Sequence, residues 1–279
     1  MTSGVQVVVY FLLAFALCWL GKLAYGLFHP RLRLDVEMTA KDNLAFAVPL
    51  GAYYLGILIV MGAPLSGQPR GNILQDALSV AGWGLLAVVL LNVGSLAKRR
   101  VLFHGVDLLG EILERGNLAA GIVVGGFHIA SALLVLGALG DEGGLLPAAA
   151  FWLYAQTLLT LAAAVFLRVV HEDLTSEIRR GNRAVALSFA GVLVAMGNVL
   201  RLAISGPFDG WGNGLGAATG YALAGLALLF AARSLTDWLL LPGVTIRQEV
   251  VEQEVPNVGV GYLEALFYLG TSFLIAWAL

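Results

Sequence analysis

The sequence predicts an all-α, polytopic membrane helical bundle: eight transmembrane helices built from four tandem two-helix units of like orientation. Three observations carry this: the composition, the spacing of the apolar runs, and an asparagine motif that recurs four times. Across 279 residues the chain is 59% hydrophobic and 12% charged, with a mean hydropathy of +0.86, whereas soluble domains carry about 25% charged residues. The lipid bilayer is therefore the partner that composition requires. A net charge of −2 offers no basic face to phosphates and excludes a nucleic-acid partner. The single cysteine, Cys18, excludes an internal disulfide and Cys-based metal sites. It sits in the first apolar run, where "FALC" is a poor lipobox because Leu17 stands where a small residue is needed. The run lacks a positive leading segment and continues to Phe28, which argues against a signal peptide.

A spanning helix needs about 20 apolar residues. Eight segments supply them: 4–28, 43–63, 76–97, 117–139, 146–170, 182–204, 215–236 and 257–279. Loops after even helices are short and rich in Gly and Pro ("GAPLSGQPRGN", "GALGDEGG", "SGPFDGWGNG"); loops after odd helices are longer and charged. Fourteen of the sixteen basic residues fall in or beside the latter, from Lys22, Arg31, Arg33 and Lys41 through Lys98, Arg99, Arg100 and Arg115 to Arg168, Arg179, Arg180, Arg183, Arg233 and Arg247. The positive-inside rule places that side in the cytoplasm and both termini outside. In "RVLFHGVDLLGEILERGN", Leu102, Val106, Leu109 and Leu113 are at helical spacing, which predicts a short interfacial amphipathic helix. "TIRQEVVEQEVPN" reads as a second, ended by Pro256.

Asn43, Asn117, Asn182 and Asn257 each open an even helix. Small residues follow at fixed offsets: Ala45, Ala119, Ala184 and Gly259 at +2; Ala47, Gly121, Ala186 and Gly261 at +4; Gly51, Gly125, Ala190 and Ala265 at +8; Gly56, Ala130, Ala195 and Gly270 at +13. At 100° per residue the asparagine with +4, +8, +11 and +15 forms one face, and +2, +9 and +13 form the opposite one. Small residues let helix backbones approach in lipid, so two small faces imply two close neighbours, with even helices central and odd helices peripheral. Each asparagine is an expected N-cap, with a ring of amides lining a cytoplasmic mouth as the other reading.

"DLTSEIRRGNRAVALSFAGVLVAMG" and "DNLAFAVPLGAYYLGILI" resemble the bacterial inner-membrane family called domain of unknown function 350 (DUF350), whose pattern is an acidic segment, an asparagine, then a Gly-rich apolar helix. The resemblance implies a four-helix unit and hence two tandem copies, 1–139 and 145–279. "PNVGVGYLEALFYLG" departs most, with Pro256 before the asparagine and Glu264 in the apolar run. The resemblance implies a multi-pass inner-membrane protein. It also implies a partner class, since such proteins are discussed beside phage-shock-protein-A-like membrane-stress proteins and polyamine-linked ligases.

Glu264 is the sharpest candidate for chemistry. It lies seven residues into its helix, about 10 Å deep at 1.5 Å per residue, and shares a face with Asn257, Gly261 and Tyr268. An ionised carboxylate at mid-bilayer costs about 2.5–3.5 kcal/mol on insertion scales, so it faces protein or water, either as a proton- or cation-binding group or as a packing contact. His128 lies at +11 from Asn117, with Tyr54 as its counterpart after Asn43. Asn92, Gln156 and Asn198 read as interhelical hydrogen-bonding groups, and Arg233 with Asp237 as an i, i+4 pair. No P-loop, HExxH or GxSxG motif occurs, so neither an enzyme nor a bound cofactor is expected. Four units of one orientation also differ from the inverted repeats of many transporters. The leading expectation is a non-enzymatic membrane protein of envelope integrity or stress response, docking partners on charged segments through Glu111, Glu114, Glu172 and Glu177. The alternative is a small-ion or proton path along the asparagine face with Glu264 and His128. Association with further copies of the chain stays open.

Overall fold

The computed structural model describes residues 4–278 except 31, 67–71, 140–143, 171–172, 206–207, 209 and 242. Its helices are α1 (Gly4–Phe28), α2 (Leu44–Val60), α3 (Gly62–Ser66), α4 (Ile73–Leu102), α5 (Leu108–Leu113), α6 (Leu118–Leu139), α7 (Leu145–Val170), α8 (Leu174–Arg179), α9 (Arg183–Ile204), α10 (Trp211–Leu240) and α11 (Val258–Ala278), with single π-turns at Val36–Ala40 and Gln248–Glu252. Seven of them are long and apolar enough to cross a membrane. The remaining apolar helix, α2, has 17 residues, about 25 Å at 1.5 Å per residue, against a hydrocarbon core of about 30 Å. The chain is an all-α polytopic membrane bundle, with seven helices of spanning length among the described residues and this shorter apolar one beside them.

Two layers of helices form. The even helices stand in a row, α2–α6–α9–α11, each packed on the next; α1, α4, α7 and α10 form a second row. Each of α4, α7 and α10 packs on the even helix of its own unit and on that of the preceding unit. Small residues make the first row so close. A Cβ at Gly191 would stand 2.6 Å from the Ala265 Cα, and one at Gly126 would stand 3.0 Å from the Ala190 Cα. Cβ atoms at Gly121 and Gly261 would run into the backbone carbonyls of Ala45 and Ala184. Ala45 is four residues before Pro49, which has no N–H to offer its carbonyl, and α6 lies directly over that oxygen. In every case the partners hold fixed offsets: +4 of one unit meets +2 of the unit before it, and +8 meets +9.

Only the inner pair of even helices is central. The α6 and α9 spans are 72% and 67% buried, against 39% for α11 and 11% for α1. α2 and α11 stand at the two ends of the row, and each keeps one small face uncovered among the described residues. The amphipathic helix expected from Leu102 is also broken up. α4 runs on through Leu102, Gly105 turns at φ +81°, and α5 begins after Asp107, whose Oδ1 caps Gly110 N–H at 3.1 Å. Leu108 and Ile112 are its buried residues, while Leu102, Val106, Leu109 and Leu113 are only partly covered.

Candidate functional site: a repeated asparagine–glutamate clasp

At the charged end of the bundle one constellation occurs four times. Each asparagine Oδ1 accepts the backbone N–H three residues on: Phe46 at 3.2 Å, Ala120 at 3.3 Å, Val185 at 3.1 Å and Val260 at 3.3 Å. Each Nδ2 donates to a glutamate Oε2 in the preceding connector: Glu37 at 2.9 Å, Glu111 at 3.0 Å, Glu177 at 2.8 Å and Glu249 at 2.8 Å. The asparagine N–H also donates to that glutamate's carbonyl, at 2.8–3.0 Å. The chain reverses sharply to do this. Asp42, Gly116 and Gly181, the residues before the first three asparagines, have φ of +47°, +59° and +79°, a region where glycine is at no disadvantage. In the fourth unit Pro256 stands there, and the glutamate lies eight residues back instead of five or six.

The other glutamate oxygen holds a surface group. Lys41 Nζ reaches Glu37 Oε1 at 2.6 Å, Arg115 Nη1 reaches Glu111 at 3.0 Å, and Arg180 Nη2 pairs with Glu177. In the fourth unit Gln253 Nε2 takes the place, at 2.7 Å from Glu249 Oε1. Burial disfavours the Glu37 charge, but hydrogen bonds from Lys41 and Asn43 and the lysine charge outweigh it and hold the carboxyl below its ordinary range.

Three clasps also reach across to the next unit. Asn43 Nδ2 donates to Ile112 carbonyl at 3.0 Å, Asn117 to Ile178 at 2.7 Å and Asn182 to Val250 at 2.8 Å. Each acceptor directly follows the glutamate of its own clasp. Asn257 makes no such cross-unit bond among the described residues and is exposed. The first three asparagines therefore sit in the joints between units, each satisfied by protein.

The residues singled out in the sequence fall into separate places. Glu111 and Glu177 turn inward as clasp acceptors, with side chains only 11% and 10% exposed. Glu114 is exposed. Glu172 lies outside the described residues. His128 is buried between α6 and α2, with Nδ1 at 3.0 Å from Pro49 carbonyl and its ring against Tyr25 and Tyr53. Tyr54, the +11 counterpart in the first unit, is half-buried on α2 with its ring beside Tyr53. Asn92 Nδ2 donates to the Tyr53 hydroxyl at 2.8 Å, which donates to Gly21 carbonyl at 3.0 Å, tying α4, α2 and α1. Asn198 likewise bonds Ser272 of α11 at 3.2 Å.

Glu264 is fully buried, and its Oε1 accepts from Arg233 of α10 and from the Tyr268 hydroxyl. The expected Arg233–Asp237 pair does not form. Asp237 Oδ1 instead accepts Ile246 N–H at 2.6 Å, since the span beside α10 presents a carboxylate that Arg233 reaches within the bundle. Lys98, counted in the sequence among the loop cations, is 1% exposed. Its ammonium lies between Ser131 Oγ (2.8 Å) and Gln156 Oε1. Its signal was available: it stands on the last turns of an apolar run, three residues after Ser95. Among the described residues no group of three His, Cys, Asp or Glu side chains could hold a metal ion.

The family described as Domain of Unknown Function (DUF350) matches residues 1–139 and again 142–279. The chain belongs to the DUF350 family. It is similar to the UPF0719 transmembrane protein YshE of Bacillus subtilis (strain 168), 30% identical over 135 residues, 48% of this chain and 94% of the relative. It is also similar to a UPF0719 transmembrane protein of Aquifex aeolicus (strain VF5), 29% identical over 104 residues, 37% of this chain. The match spans 38% of that relative's length. No solved structure matches. The relatives are named as transmembrane proteins, and this chain is a multi-pass membrane protein. Each DUF350 copy holds two of the four units, and the joint between copies, α6 on α9, repeats the joints within them.

Proposed function

We propose that this protein is a non-enzymatic membrane scaffold serving envelope integrity or stress response. Its clasp end faces the cytoplasm from the inner membrane, with both termini outside, and docks a partner there. The observation that carries the reading is the row of surface cations, one pinned on each of the first three clasps: the Lys41, Arg115 and Arg180 side chains are 50%, 64% and 69% exposed. Around the second and third, Arg179 and Arg183 add to a shallow hollow of about 320 Å³ lined also by Gly116 and Leu118. Four arginines, Arg115, Arg179, Arg180 and Arg183, line this hollow against one carboxylate, Glu111, which the clasp takes up, so the partner presents acidic groups there. Charges held on a closely packed row keep their spacing, which suits register-specific docking.

Gln253 shows that an amide serves in the cation's place on the clasp, so Lys41→Gln, Arg115→Gln and Arg180→Gln together remove charge and keep the fold. Crosslinked membranes should yield a partner with the native chain and lose it with the triple variant. Retention of the same partner by a folded triple variant would overturn the reading.

A second reading, a small-ion or proton path, is favoured by one observation: Glu264 Oε2 is buried with no hydrogen-bond partner among the described residues. Liposome flux abolished by Glu264→Gln would establish it, and silence of both proteins would remove it. His128 belongs to a different joint, so such a path would not link the two.

A further inference from the structure

We propose that copies of this chain join head to tail, the fourth unit of one copy receiving the first unit of the next across the same joint that the chain makes three times within itself. Each internal joint has two components. Below the clasps, the +2, +9 and +13 face of one even helix packs on the +4, +8 and +15 face of the next. Gly125 approaches Ala52, Gly126 approaches Ala190 and Gly191 approaches Ala265 at +8/+9, while Gly56 approaches Ala132 and Gly197 approaches Ala130 at +13/+15. At the clasp, the asparagine Nδ2 crosses to the carbonyl after the next unit's glutamate.

The two ends of the row are the two halves of a fourth such joint. Asn257 is folded as the other asparagines are, bonded to Glu249 and Val260, but exposed and, among the described residues, without a carbonyl from another unit. The carbonyl equivalent to those of Ile112, Ile178 and Val250 in the first unit is that of Met38, which follows Glu37, and Met38 is exposed. The offered face of α11 carries Gly259, Leu266 and Gly270, all exposed. The receiving face of α2 carries Ala47, Gly51, Tyr54 and Leu58, exposed or half-buried.

These faces fit one another in detail. The internal joints set small against small, but the open faces each carry one leucine, and each leucine falls opposite a glycine. Leu266 at +9 meets Gly51 at +8, and Gly270 at +13 meets Leu58 at +15; a Cβ at Gly51 or Gly270 would have open space. At +2/+4, Gly259 would meet Ala47, the same Gly–Ala pairing as Ala45 with Gly121 and Ala184 with Gly261. In the second row α1 would take the place on α11 that α4 takes on α2. Because the two surfaces differ, the contact is heterologous and closes a ring or extends a row.

Cysteine crosslinking in native membranes tests this. At the internal joints Cβ atoms at +8 and +9 would lie 2.8–3.3 Å apart, close to the span of a disulfide. On a Cys18→Ala background, the chain carrying both Gly51→Cys and Leu266→Cys should give covalent dimers and a ladder of higher multimers under mild oxidation. The two single-cysteine chains expressed together should give dimers and nothing larger, and either alone should stay monomeric. Asn257→Ala in the double-cysteine chain should weaken the ladder at unchanged abundance. Crosslinking of Gly51→Cys alone, disulfides to a different protein, or a double-cysteine chain that stays monomeric at native abundance would each overturn the proposal.

Discussion

Asn182 Nδ2 and the carbonyl of Val250 lie 2.8 Å apart across the joint between the third and fourth units, and the same amide nitrogen bonds Glu177 at 2.8 Å. One side chain thus caps α9, holds its own connector and fastens the next. Asn257 performs the first two tasks without the third, which supplies a control inside the molecule. Asn257→Ala should cost about 1 kcal/mol, the usual value of a lost N-cap. Asn182→Ala should cost a further 1–3 kcal/mol or so, because it also leaves buried polar groups unpaired. Thermal or denaturant unfolding of the single chain in detergent checks the difference, and equal losses would refute the cross-joint role.

The close packing of α6 on α2 makes Gly121 intolerant. A methyl group there meets the Ala45 backbone rather than a movable side chain, so Gly121→Ala should destabilise by about 1–3 kcal/mol, the usual range for overpacking. Gly82 on α4 has open space around its Cα. Gly82→Ala should be neutral or stabilising, since alanine is favoured over glycine in a helix by roughly 1 kcal/mol. Melting temperatures of the two variants should separate in opposite directions.

Arg233 and Glu264 pair between α10 and α11, with side chains 13% and 0% exposed. Removing one partner strands a buried charge, and Arg233→Met should cost about 3–5 kcal/mol, as for other broken buried pairs. Adding Glu264→Leu to it should recover most of that loss, because the desolvation of both charges disappears together. Expression level and unfolding midpoint in detergent measure both. A double variant no more stable than Arg233→Met would contradict the pairing.

The first clasp should be acid-sensitive. The folded-state carboxyl of Glu37 is held below its ordinary range, so its contribution is present in full above the unfolded value, about 4.3. It is lost as pH falls from there through the folded value. Glu37→Gln should therefore narrow the stability gap to the native chain as pH drops from 6 to roughly 3. Parallel acid titrations followed by unfolding midpoints would show it, and a gap that widens toward low pH would exclude this role for the carboxylate.

Much of this was legible along the chain. The four asparagines with small residues at +2, +4, +8 and +13 marked four like helices, and the two faces they define are the faces used in the joints. The glutamates were harder to read. Their distances back from the asparagine are six, six, five and eight residues, and a connector of variable length carries no period from which a register could be seen. Glu111 and Glu177 thus looked like surface charges, although the clasp takes both.

Hydropathy, helix starts and the small-residue faces are local properties, written in the chemistry and spacing of neighbouring residues, and the sequence alone determined them together with the family. Which face meets which neighbour was settled only in three dimensions. So were the burial of Lys98, the preference of Arg233 for Glu264 over nearby Asp237, and the open ends at Asn257 and Met38. A buried polar group takes whatever partner the packing of distant helices brings within hydrogen-bond reach, and that proximity has no counterpart in the order of residues along the chain.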